Sequence, residues 1–185
     1  MLLFFEECKV YDLSTAMFFA VSLGLLARGK FGQYYVLFPL ACLNRETTFL
    51  LAILFTVYYF SRLERRDWVV GIAYQGFVFI GIRLWLMDTF AENAGVPFLF
   101  RLQENAADHV KYPWQSLLFF VAVLAVLWMC MRSWHTKPIF LRTAFAIFAP
   151  ALMVLYLLFG WAFEVRVFAE MYPLAVVMAT WEWLP

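Results

Sequence analysis

The side chains able to do chemistry in this chain stand in surroundings that are almost entirely oily. Residues 42–50 read CLNRETTFL, so Asn44, Arg45, Glu46 and Thr47 stand in a row between YYVLFPLACL and TFLLAILFTVYYF. A carboxylate in such a place can take a proton from a hydroxyl, and a guanidinium can hold a phosphate through paired hydrogen bonds. Asp12 opens the first apolar run, Arg83 lies inside a later one close to Asp88, and Glu164, Arg166 and Glu170 precede the last apolar piece. Ionisable groups at membrane depth usually pair with one another and mark function. Arg166 and Glu170 fall on one face of any α-helix that runs through them. The same pairs also suit a bland role, as structural salt bridges that neutralise each other and fix helix packing.

Other chemistry finds no support. His109 lies in a long loop and His135 in a basic loop, and neither has a ligand partner at helical spacing, so no metal is expected. Cys8, Cys42 and Cys130 show no metal or redox spacing, and the latter two read as packing residues within apolar runs. No glycine-rich phosphate loop or nucleophile motif is present, and no cofactor is called for. The formal net charge of +1, without a basic patch, gives no footprint for nucleic acid.

The elements that must hold these groups follow from composition. Of the 185 residues, 65% are apolar, 21% aromatic and 15% charged, against roughly 25% charged in a soluble domain. Such a chain cannot cover a water-facing surface, whereas lipid accepts an apolar exterior. The expectation is an all-α polytopic transmembrane bundle of about six or seven apolar helical segments, forming one integral membrane domain over 1–185. The segments are 13–28, 33–43, 48–61, 68–88, 114–131, 139–160 and 171–184, with an extracytoplasmic loop at about 89–112. Within that loop a short amphipathic helix is expected near 98–108, lying on the outer surface. The N-terminal MLLFFEECKV has an acidic flank and too short an apolar core for a secretory signal. Tyr58, Tyr59, Trp68, Trp114, Trp128, Trp134, Trp181 and Trp183 read as interfacial anchors. Gly71, Gly76 and Gly81 read as permitting close packing.

Orientation follows from the basic residues. Arg28 and Lys30, then Arg62, Arg65 and Arg66, then Arg132, Lys137 and Arg142 hold eight of the 14 Lys and Arg. If all three clusters are cytoplasmic, the chain must go out and back between Lys30 and Arg62. One unbroken helix over 34–61 would bury Arg45 and Glu46 near the midplane, at a cost of several kcal/mol. A hairpin of two short helices over 33–61, turning at Asn44–Thr47, avoids that cost and is the expected geometry. Asp12, Asn44, Arg45, Glu46, Arg83, Glu164, Arg166 and Glu170 would then meet in a polar pocket at the outer face.

The run YDLSTAMFFAVSLGLLARGKFGQYYVLFPLACLNRETTFLLAILFTVYYF resembles a passage of polytopic glycosyltransferases that use polyprenyl-phosphate-linked donors, the GT-C superfamily. There a span beginning at an acidic residue ends in a short basic turn, and a short helix ending in a polar cluster is followed by a second short helix. The ending FEVRVFAEMYPLAVVMA is similar to the last motif of that superfamily, and both passages look like bacterial membrane proteins with an Asn-Arg-Glu-Thr motif. The resemblance implies sugar transfer from a polyprenyl phosphate at the outer face of a bacterial inner membrane. It implies Glu46 or Asp12 as base and Arg45 or Arg166 on the departing phosphate. Asn44, Arg83, Glu164 and Glu170 would complete the substrate site. The superfamily's catalytic acid stands in a first extracytoplasmic loop, and Glu6, Glu7 and Asp12 give no clear match to it. A truncated or minimal member, or a catalytic part on another membrane subunit, is the expectation that follows. The rival reading is a non-catalytic membrane subunit or small transporter-like protein whose charged pairs are structural.

Overall fold

The computed structural model describes residues 10–92, 100–160, 162–163 and 165–183. Among them the chain is all-helical, without strands. It divides into two compact units, one holding α1 to α4 and the other α5 to α8.

In the first unit, α1 (Val10–Ala27), α2 (Phe31–Asn44), α3 (Phe49–Tyr59) and α4 (Arg65–Thr89) follow one another through short turns. Gly29 ends α1 by taking φ +65°, open to a residue without Cβ. Its N–H then reaches Leu26 O at 2.9 Å, and that of Lys30 reaches Leu25 O at 2.9 Å, which satisfies carbonyls the helix would leave bare. Helix α2 stops where Arg45 swings to φ −150°, ψ 150°. Glu46–Thr48 then form one 3₁₀ turn. The hydroxyl of the fully buried Thr48 lies 2.9 Å from Ala41 O and 2.8 Å from Arg45 O, so it ties the break together.

Ring contacts set the direction. Phe31 packs on Tyr59 at 5.0 Å and Tyr34 on Phe55 at 6.4 Å, so α2 and α3 run antiparallel, as a hairpin with Arg45 at its tip. The Tyr34 hydroxyl donates to Gln75 Oε1 at 2.6 Å and Arg83 Nη2 donates to Cys42 O at 2.9 Å, so α4 runs beside α2 in the same direction. Ser14 meets Asn44, which sets α1 opposite to α2. The unit is therefore up-down-up-down. Its core is Leu26, Tyr34, Phe38, Cys42, Leu50, Leu54 and Phe55, all fully buried. A Cβ at Gly71 would stand 2.5 Å from Tyr35 Oη and 2.6 Å from Phe55 Cζ, so α4 approaches the hairpin only because that residue is glycine. Among the described residues nothing stands within 4 Å of a Cβ built at Gly76 or Gly81, so of the three glycines Gly71 is the one seen in the expected packing role.

In the second unit, α5 (Leu102–Lys111) leads into α6 (Pro113–Met131), where Pro113 occupies a first-turn position that needs no N–H. Then come α7 (Ile139–Phe159), a 3₁₀ segment Val165–Met171, α8 (Tyr172–Thr180) and a final 3₁₀ turn, Trp181–Trp183. Helix α5 caps the end of α7: Arg101 N donates to Leu158 O at 2.8 Å, and Asn105 Nδ2 to Gly160 O at 3.0 Å. The helix expected near 98–108 is thus present, shifted toward the C-terminus and docked through a buried Asn105 rather than merely lying on a surface.

Among the described residues, three helices are long and apolar enough to cross a membrane: Arg65–Thr89, Pro113–Met131 and Ile139–Phe159. At about 1.5 Å per residue they reach roughly 28 to 37 Å, against about 30 Å of hydrocarbon. Their faces suit lipid, with Phe77 80%, Leu118 68% and Trp128 65% exposed. Helix α8 reaches only about 14 Å.

Candidate functional site

The polar groups of the first unit collect at one end of its four helices. Two helix starts and two helix ends bring them there: Asp12 lies in the first turn of α1, Asn44 ends α2, Arg45 and Glu46 form the tip, and Arg83 lies toward the end of α4. Because the helices alternate, Arg28, Lys30, Arg62, Arg65 and Arg66 fall at the opposite end.

Two layers can be distinguished at this tip. The inner one is closed. Arg45 Nη2 donates to Asp12 Oδ1 at 2.9 Å, with the Asp12 side chain 14% exposed. Asn44 is held on both sides of its amide: Ser14 Oγ donates to Oδ1 at 2.7 Å, and Nδ2 donates to Thr15 Oγ1 at 2.7 Å. A primary amide offers both a donor and an acceptor, so two hydroxyls adjacent in α1 fix its orientation. The outer layer is open. Arg83, anchored by Nη2 on Cys42 O, points Nη1 at Glu46 Oε1 from 3.5 Å, and the Glu46 side chain remains 66% exposed. A water-accessible carboxylate beside an anchored guanidinium can accept a proton from one group while the cation holds an anion.

Arg83 thus finds its partners on the hairpin, and Asp88, near it in sequence, is exposed toward the end of α4. Ser14 and Thr15 escape a reading that looks only for charge. The available signal was a pair of hydroxyls at the start of an apolar helix. Gln75, an amide inside VVGIAYQGFVF, is fully buried against Tyr34 and was likewise a polar residue without a role in the sequence reading.

The remaining candidates belong to the second unit. Glu164 lies outside the described residues, and of Arg166 only the backbone is described. Residues 165–171 are 3₁₀ rather than α, so positions three apart align and positions 166 and 170 stand about 120° apart, not on one face. Glu170 is fully buried within that unit. His109, expected in an exposed loop, instead sits near the end of α5 with Nδ1 3.0 Å from Ser116 Oγ and its ring 4.8 Å from that of Phe163. Tyr59, expected as an interfacial anchor, is buried and donates its hydroxyl to Leu26 O. Cys42 and Cys130 are buried free thiols. Comparison of the chain with protein-family models, with curated proteins and with solved structures finds no match.

Proposed function

We propose that the chain is a multi-pass protein of a bacterial inner membrane whose α1–α4 unit carries a substrate site at its extracytoplasmic end. The end bearing Arg28, Lys30, Arg62, Arg65 and Arg66 then faces the cytoplasm. Helices α2 and α3, with 14 and 11 residues, reach about 21 and 17 Å, so the Asn44–Glu46 tip stands within or just below the outer interface. Charge at that depth is tolerable when paired and when water or a ligand can reach it.

The reading extends to transfer of a sugar from a polyprenyl phosphate to an acceptor hydroxyl, as the GT-C resemblance implies. Glu46 takes the acceptor proton as the new bond to the sugar forms. The old bond to phosphate breaks, and Arg83 holds the departing anion. Asp12, Arg45 and Asn44 keep the tip in place. The observation carrying this division of labour is that Glu46 is open beside Arg83 while Asp12 is closed on Arg45. The test is transfer by the protein in liposomes supplied with polyprenyl-phosphate sugars. Glu46→Gln should lower it by about 100-fold or more while the protein stays folded. Undiminished transfer by that variant removes Glu46 from the role.

A second reading, a non-catalytic membrane subunit, is favoured by the closed Asp12–Arg45 pair and the doubly held Asn44. It predicts no transfer by the wild type with any such donor.

A further inference from the structure

The second unit carries a cleft of a different kind at the basic end of α6. Trp128 and Arg132 come from α6 and its end, Lys137 from the turn before α7, and Met178, Glu182 and Trp183 from α8 and the 3₁₀ turn after it, around about 170 Å³. Lys137 is only 3% exposed, an unusual state for an ammonium, and its described hydrogen bond runs to Arg132 O. An ammonium has three N–H donors to place. Arg132 Nε lies 3.2 Å from Glu182 Oε2, and Ser133 donates to Glu182 Oε1. Two cations and one carboxylate therefore line the cleft, and that carboxylate is already engaged by Arg132 and Ser133. The cleft has room and charge for one anion.

Further along the same two helices lies a second, apolar cleft of about 160 Å³. Phe119, Val123 and Leu127 of α6, Ala149 and Met153 of α7, and Ala175 of α8 line it, and among the described residues no polar atom faces it. Such a space does not attract water but accepts hydrocarbon. A charged mouth at a helix end, flanked by the exposed Trp128 and Trp183, followed along the helices by an apolar slot, matches the order of groups in a phospholipid. Basic pockets between membrane helices hold anionic head groups in this way.

We infer that the α6–α8 seam binds one anionic phospholipid, its phosphate at Arg132 and Lys137 and an acyl chain in the cleft lined by Phe119 and Ala175. This rests on α6 and α7 crossing a membrane and is independent of any transferase activity. The test uses the full-length protein in detergent, with phosphatidylglycerol and phosphatidylcholine of the same chain length as probes and native mass spectrometry as readout. Phosphatidylglycerol should be retained preferentially. Lys137→Met should lower that retention about fivefold, the worth of one basic residue at a membrane surface, and leave phosphatidylcholine unchanged. Ala122→Phe, which fills the apolar cleft and keeps both cations, should also weaken retention, and it decides the matter should the Lys137 variant not fold. Equal retention of the two lipids, or wild-type behaviour of both variants, overturns the site. Displacement of phosphatidylglycerol by millimolar glycerol phosphate would instead assign the cleft to a soluble phosphate and overturn the lipid. A chain stripped from membranes by alkaline carbonate would sink the spanning reading itself. A membrane-retained chain indifferent to head group sinks only the phospholipid.

Discussion

The two units solve the same packing problem with different parts. In the α1–α4 unit, polar side chains link one helix to the next at both ends of the unit and, through Gln75, midway along α4: Ser14 and Thr15 to Asn44, Tyr34 to Gln75, Arg83 to Cys42 O, Tyr59 to Leu26 O. In the α5–α8 unit the polar links gather where helices end, with Asn105 on the last carbonyls of α7 and Arg132 and Ser133 on Glu182. Between those ends the described contacts include aromatic pairs, as between Phe119 and Tyr156 at 5.4 Å. Lipid tails are as apolar as leucine, so apolar contact alone gives membrane helices little reason to prefer each other. Clamps along a helix fix register and neighbour.

The largest effect that would sharpen this contrast is expected at Asp12. Replacing it with alanine removes the carboxylate that Arg45 Nη2 meets at 2.9 Å in a largely buried position, and should cost about 2 to 3 kcal/mol. Unfolding titrations in mixed micelles measure the loss. An Asp12→Ala protein as stable as wild type would make the hairpin tip indifferent to its ion pair and erase the distinction between the units.

How much of this was readable beforehand depends on where the signal lay. Arg45 and Glu46 inside an apolar run, with too few residues on either side to span, pointed to the turn, and Lys30 and Arg62 on its flanks pointed the same way. Those are local facts about charge and length. The partners were not local. Arg83 comes level with Cys42 only because α4 runs beside α2 in the same direction, a consequence of the complete up-down order. Hydroxyls such as Ser14, Thr15 and Tyr34 carry no charge to betray them. Near Glu170 the reading failed for another reason: spacing of four means one face only in an α-helix, and the backbone there is 3₁₀ ahead of Pro173.

The next effect concerns a neutral clamp. Tyr34→Phe deletes the hydroxyl that gives Gln75 Oε1 its donor, with both residues fully buried. Interhelical hydrogen bonds in membranes are worth about 0.6 kcal/mol on average and at most about 1.7, so a loss near 1 kcal/mol is expected. Adding Gln75→Leu should recover part of it, because the orphaned acceptor goes as well. Loss without recovery would mean that the tyrosine acts through its ring contacts with Phe38 and Phe55, and that α2 and α4 are matched by shape rather than by polarity.

The smallest effect is expected at the end of the other unit. Glu182→Gln weakens the pair with Arg132, whose side chains are 57% exposed for Arg132 and 31% for Glu182. Exposed pairs contribute a few tenths of a kcal/mol, and salt screens them. Stability should therefore barely move, and the difference from wild type should vanish in about 0.5 M salt. Retention of phosphatidylglycerol should rise instead, because the cleft loses a negative charge and keeps Arg132 and Lys137. A loss of stability equal to that of Asp12→Ala would show that this more exposed pair carries as much of the fold as the largely buried one at the hairpin tip. A carboxamide that changes neither quantity would leave the cleft's charge without consequence. The expected pattern separates a charge that holds helices together from one that stands ready for a ligand.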